Sequence, residues 1–211
     1  IYDALFERMS GVFDSLGWKV TALKYGHKLL KAQEGPAGEA VLNWIDNCPN
    51  QLYSALTYQG GAERRSHLEL DLAGTSGIGE FLDSHDNSSL AEVMTNLGGH
   101  DLATVIDAFN EAGDSEQPQC FIAYTVKGKG LPLAGHKDNH AGLMSVKQMA
   151  EFQKIQNVPE GTEWDKFGGI EKNSKKLQHF IDNCDYQKRA KRVEKAKLID
   201  IPEITPPKDE E

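Results

Sequence analysis

The chain has 211 residues, 39% of them hydrophobic, and carries 32 Asp and Glu against 23 Lys and Arg, a formal net charge of −9. That balance argues against nucleic-acid binding, which rests on a basic surface that displaces counterions. No apolar run is long enough to span a bilayer, and no stretch reads as a secretory signal.

The first residues carry a helical stripe. Ile1, Leu5, Met9, Val12 and Leu16 recur at helical spacing, with Phe6 and Phe13 beside them. The first residue is Ile, and the pattern is already under way there, so the expectation is a fragment of a longer chain. The glycine-bounded stretch Gly17 to Gly26 follows, and its Val20 and Ala22 suggest a strand.

A long helical region comes next. Pro36 stands near the start of a segment whose packing face is Val41, Leu42, Trp44 and Ile45. Pro49 suits the first turn of another helix bearing Leu52, Tyr53 and Leu56. "GGAERRSHLELDL" is charged and reads as a short exposed helix, and Gly74 to Gly79 breaks regular structure. Further on, Ser89 with Glu92 three residues later has the form of a capping box. Gly98 and Gly99 are expected to end that helix in a left-handed turn. Asp101 is expected to cap the next helix, with Leu102, Val105, Ile106 and Phe109 on one face.

The strongest strand signal is Gln119 to Val126, whose near-continuous apolar run suits a parallel strand buried on both faces. Ser145 can cap a helix after it, and a lysine-rich helical pattern runs from Asn173 to Lys197. The end of the sequence, with Pro202, Pro206, Pro207 and a final acidic run, reads as a linker. The fold class is therefore α/β: a partial parallel sheet flanked by helices, with a helical, charged C-terminal extension. Two strands are few for a free-standing sheet, which again points to missing sequence. In such sheets ligands bind beyond the carboxyl ends of the strands.

One such end carries "TVKGKGLPLAGHKDNHAGLM", Thr125 to Met144. Lys127 and Lys129 alternate with Gly128 and Gly130, and His136 and His140 follow. Lysine supplies a compact cation, glycine lets backbone approach a ligand, and imidazole donates hydrogen bonds or moves protons near neutral pH. The loop can thus hold a diphosphate. By residue type alone, a plain polar surface loop is the commoner outcome. His136, Asp138 and His140 raise a zinc alternative, ranked below phosphate because the glycines favour a loop and a third strong ligand is lacking. His100 is read as structural, between a helix stop and a helix start. His27, His67, His85 and His179 are read as surface or packing residues, and Trp18, Trp44 and Trp164 as core or interface. The scattered Cys48, Cys120 and Cys184 form no CxxC pair, and an odd count fits a reducing, cytoplasmic setting.

The ordered segments "GGHDLATVIDAF", "CFIAYTVKGKG" and "HKDNHAGLM" resemble those of the transketolase-like thiamine diphosphate enzymes. With the opening "LFERMSGVFDSLGWKV" and "KYG", the resemblance is closest to the homodimeric type of pyruvate dehydrogenase first component. It covers Ile1 to Gly169 and thins out afterwards.

The resemblance implies that residues 1–171 are the C-terminal part of a diphosphate-binding domain, and 172–211 a helical extension and linker toward a pyrimidine-side domain. It implies a thiamine diphosphate cofactor contacted by Lys127, Gly128, Lys129 and His140, with His140 and His136 as the catalytic candidates. His140 matches the family position, although Ala141 stands where transketolases carry glycine, and the different spacing to His136 leaves that residue's role open. Gly128 to Leu143 would be a mobile loop that closes the active site.

The family's Gly-Asp-Gly and Asn magnesium motif is expected upstream and its activating glutamate downstream, so this chain should hold no metal ligands and be inactive alone. The parent would be a homodimer that decarboxylates a 2-oxoacid, with a lipoyl-bearing acyltransferase as a possible acceptor of the acyl group. The alternatives are a transketolase moving two-carbon units and a non-catalytic interaction domain.

Overall fold

The computed structural model describes residues 4–113, 115–185 and 203. They form two compact units, 1–152 and 153–211. The first unit begins with α1 (Ala4–Ser15) and β1 (Lys19–Leu23). Six helices follow: α2 (His27–Gln33), α3 (Gly38–Asn47), α4 (Asn50–Gln59), α5 (Gly61–Asp71), α6 (Ile78–Asp83) and α7 (Asn87–Met94). Then come α8 (Leu102–Ala112), β2 (Gln119–Ala123) and α9 (Val146–Ile155). The second unit contains α10 (Ser174–Asn183). Among the described residues no helix is long and apolar enough to cross a membrane.

The class is α/β as expected, with a small parallel sheet flanked by helices. β1 and β2 pair in register from Lys19 opposite Gln119 to Leu23 opposite Ala123. A two-stranded sheet has little stability of its own and needs helices packed on it; α1 lies against both strands and α8 against β1. The expected strand to Val126 stops at Ala123, and only one face is enclosed. Ile122, Tyr124 and Val126 are buried, while Ala123 and Thr125 are exposed. The Tyr124 amide still donates to Leu23 O of β1 at 3.0 Å, while its carbonyl turns to the loop that starts at Gly98 and accepts the Gly99 amide.

The core lies between the sheet and the helices from α2 to α7. Leu29, Val41, Ile45, Leu68, Leu90 and Met94 are fully enclosed there, and Ile122, Tyr124 and Val126 of the β2 segment join the same cluster. Val41, Leu42 and Ile45 pack as expected, while Trp44 is partly buried and its Nε1 donates to Asp71. The stripes expected on α1 and α8 are largely bare: Leu5, Val12, Leu16, Leu102, Ile106 and Phe109 are exposed. Phe6 is the residue of α1 that turns inward and stacks on Tyr124, ring centroids 4.3 Å apart.

Three local readings need correction. The cap of α7 is Asp86, whose carboxylate accepts the Ser89 amide at 2.7 Å. Ser89 therefore sits inside the first turn, and Glu92 pairs with Lys28 at 2.9 Å. Gly98 and Gly99 form no left-handed stop; α7 has already ended at Met94, and the glycines lie in a 3-10 turn. Their lack of a side chain serves a close approach, because a Cβ on Gly99 would meet the Tyr124 carbonyl at 2.7 Å. The charged α5 is exposed on one face only: the other packs on α4 and α7, and Arg64 there is wholly buried.

The helix starts at Asp101 and Ser145 agree with expectation. Asp101 accepts the Thr104 amide at 3.1 Å, and Ser145 and Gln148 exchange bonds as a capping box. In the second unit Trp164 is 99% exposed, so it belongs neither to a core nor to a contact among the described residues. Of the lysine-rich pattern, α10 is described to Asn183, and the tail prolines lie outside the described residues. Cys48, Cys120 and Cys184 form no disulfide among the described residues.

Candidate functional site

The segment Gly98 to Asp101 joins the carboxyl ends of both strands. The Gly98 amide donates to Lys24 O at 2.9 Å and the Gly99 amide to Tyr124 O at 3.0 Å. His100 Nε2 accepts the Val126 amide at 2.6 Å, so its ring proton sits on Nδ1. Burial, reinforced by the nearby Lys129 charge, lowers the His100 pKa, which suits an acceptor role. This agrees with the structural reading of His100.

Asp101 does more than cap α8. It accepts the His27 amide at 3.0 Å and faces His27 Nδ1 at 3.3 Å, while Asn96 accepts the Lys28 amide at 2.9 Å. The N-terminus of α2 is thus capped by residues 68 to 74 positions away. Partial burial pushes the Asp101 carboxyl up, but bonds from the Thr104 amide, Asn96 and His27 outweigh it and bring it down to about 2.

From this braced strand end the lysine-glycine loop departs. Lys127 and Lys129, separated by one glycine, line different cavities. Lys127 faces a cleft of about 1190 Å³ between the loop and α4. One wall is Tyr53, Ser54 and Tyr58 of α4; Phe6, Leu97 and Tyr124 also line it, and Lys127, His136 and His140 form the other side. The volume suits a cofactor-sized molecule.

Within this cleft the Lys127 ammonium lies 2.6 Å from His140 Nδ1. An ammonium only donates, so Nδ1 accepts and the ring proton is carried by Nε2. The pair presents a cation and a directed N–H side by side, both on exposed residues. Asn139 holds the turn by donating to Lys127 O at 2.6 Å. His136 is used differently. Its Nδ1 accepts the Asp138 amide at 3.1 Å, and its ring packs at 4.6 Å from the Tyr58 ring. Gly135 lets the loop come close to α4, where a Cβ would crowd Thr57 at 3.0 Å.

Gly128 takes a positive φ of 71° and turns the chain so that Lys129 points away from Lys127. The Lys129 ammonium is anchored on Thr95, 2.9 Å from its hydroxyl and 3.2 Å from its carbonyl. Of the four expected cofactor contacts, Lys127 and His140 are brought together, Gly128 shapes the turn, and Lys129 lines the other cavity. Among the described residues no group of three or more His, Cys, Asp or Glu is placed to hold a metal ion. His136, Asp138 and His140 accordingly make no such cluster, and the zinc alternative gains no support.

Three contributors were missed by sequence reading. Tyr58 and Ser54 enter the cleft from α4, a segment in which the sequence pattern marked only Leu52, Tyr53 and Leu56. Arg64 entered the second cavity's wall from a run of charged residues that looked solvated. Comparison with known protein families and with curated proteins finds none that matches this chain.

Proposed function

We propose that this chain forms one wall of the cofactor cleft of a thiamine diphosphate-dependent 2-oxoacid dehydrogenase, with pyruvate as the favoured substrate. The observation that carries the reading is the Lys127–His140 pair, 2.6 Å apart, in a large cleft at the carboxyl end of a parallel strand. Such strand ends are where open α/β sheets bind ligands. The motif order quoted above supplies the cofactor's identity, and the donor set fits its diphosphate.

When bound, thiamine diphosphate supplies the carbanion chemistry that decarboxylates a 2-oxoacid; the protein orients it and excludes water. Lys127 offsets the diphosphate charge. Its ammonium fixes the His140 tautomer, so that Nε2–H is the donor directed to a phosphate oxygen or to the acyl acceptor. His136 holds the loop against Tyr58. The magnesium ligands and the activating glutamate would come from outside these 211 residues, and the parent would be a homodimer. The bare apolar stripes of α1 and α8 suit further strands or a subunit covering them.

The test uses the enzyme assembled from the complete reading frame. Pyruvate-dependent acyl transfer to lipoamide should fall about 10²-fold in His140→Ala, the usual weight of a positioned acid or base. Unchanged kinetics would remove His140 from the site. Turnover of a ketose phosphate instead of pyruvate would favour the transketolase reading.

A further inference from the structure

The second cavity, about 800 Å³, lies on the other side of the lysine-glycine loop and is lined by Arg64, Lys129, His100, Thr57 and the first residues of α8, Leu102 and Ala103. Arg64 is the unusual member. Its side chain has no exposure, its Nη2 donates to Thr57 Oγ1 at 2.6 Å, and its guanidinium lies 4.8 Å from the Tyr53 ring centre. Its Nε and Nη1 have no hydrogen-bond partner. A buried guanidinium with open donors is costly, and proteins pair such groups almost without exception.

The carboxylates on the cavity wall are committed elsewhere. Glu92 pairs with Lys28 at 2.9 Å, and Asp101 is held by His27, Asn96 and Thr104. Lys129 adds a second cation whose ammonium turns inward to Thr95. Burial of that ammonium, together with the Arg64 charge, lowers its pKa and outweighs the opposing pull of Glu92.

We propose that this cavity binds the phosphate group of a small molecule, with Arg64 as the fork and Lys129 as the gate. A phosphate brings up to two negative charges and several acceptor oxygens, which matches two cations and two open guanidinium donors. The cavity is larger than one phosphate, so the ligand is a phosphomonoester and not the free ion alone. Lys129 moves from Thr95 to the phosphate and opens the way to Arg64. Because Lys129 and Lys127 are two residues apart, occupancy fixes the loop that carries the Lys127–His140 pair. The site rests on Arg64 and stands whether or not the first cleft takes thiamine diphosphate.

The experiment is calorimetric titration of the chain with inorganic phosphate, methyl phosphate and acetate at constant ionic strength. Both phosphates should bind and acetate should not. Lys129→Met should weaken phosphate binding about tenfold or more, the weight of one charge-assisted bond, while Lys127→Met leaves it unchanged. Arg64 variants risk misfolding, so the wild-type Arg64 Nε–H resonance is followed instead and should shift on phosphate addition. The proposal is overturned by absence of phosphate binding, by exclusion of methyl phosphate, by equal binding of acetate, by loss in Lys127→Met with retention in Lys129→Met, or by an unmoved Arg64 resonance.

Discussion

Around α3, α5 and α7, Leu29, Val41, Ile45, Leu68, Leu90 and Met94 are fully enclosed, whereas on the helices beside the sheet Leu5, Val12, Leu16, Leu102, Ile106 and Phe109 are between 54% and 68% exposed. Both regions carry apolar residues at helical spacing. The difference lies in what surrounds them. Six helices pack against one another on one side, and two short strands offer the other side too little surface. The strand end that carries the loop belongs to the finished side, because Ile122, Tyr124 and Val126 join the helical core. The cleft is therefore held by the packed half, while the bare half is free to be covered without disturbing it.

The sharpest way to break that contrast is to hollow out the packed half. Ile45→Ala should cost about 2–5 kcal/mol in denaturant unfolding, the range for an enclosed aliphatic side chain. A cost below about 1 kcal/mol would mean that this core is not close-packed. The loss in His140→Ala, about 10²-fold in turnover of the assembled enzyme, corresponds to about 2.7 kcal/mol of barrier and should leave unfolding unaltered.

Asp101 links the two halves, and its titration is readable. Its folded pKa of about 2 lies below its ordinary 3.8, so its contribution is present above about pH 4 and is lost as pH falls toward 2 and below. The contribution is about 2 kcal/mol at most. Asp101→Asn should flatten the stability profile across that window while keeping a cap on α8. An unaltered acid limb would show that the carboxylate is not held by Thr104, Asn96 and His27. The smallest effect is expected on the bare half, where Ile106→Ser should change the stability of this chain by less than about 0.5 kcal/mol. A large loss there would mean that the α8 stripe is already covered.

What the sequence made legible was local. The Asp101 cap, the Ser145 cap and the presence of both strands follow from short-range chemistry that neighbouring residues carry. Where a signal had two local readings, the tertiary structure chose. Ser89 and Glu92 have capping-box spacing, but Asp86 reaches the same amide first, and Lys28 takes Glu92. Gly98 and Gly99 look like a helix stop, yet they are needed where the backbone meets both strand ends. The loop was singled out by its composition, and its division into two sides was not, since the turn at Gly128 is what sends Lys127 and Lys129 apart. Nothing in "GGAERRSHLELDL" distinguishes the enclosed Arg64 from the partly exposed Arg65, whose guanidinium donates to Leu82 O and His85 O.

The central claim is that Lys127 and His140 together grip a cofactor's diphosphate. It is tested most directly by calorimetric titration of the assembled enzyme with thiamine diphosphate and magnesium, wild type against Lys127→Met and His140→Ala. Each substitution should weaken binding about tenfold or more, the weight of one charge-assisted hydrogen bond. Wild-type affinity in both variants would contradict the claim.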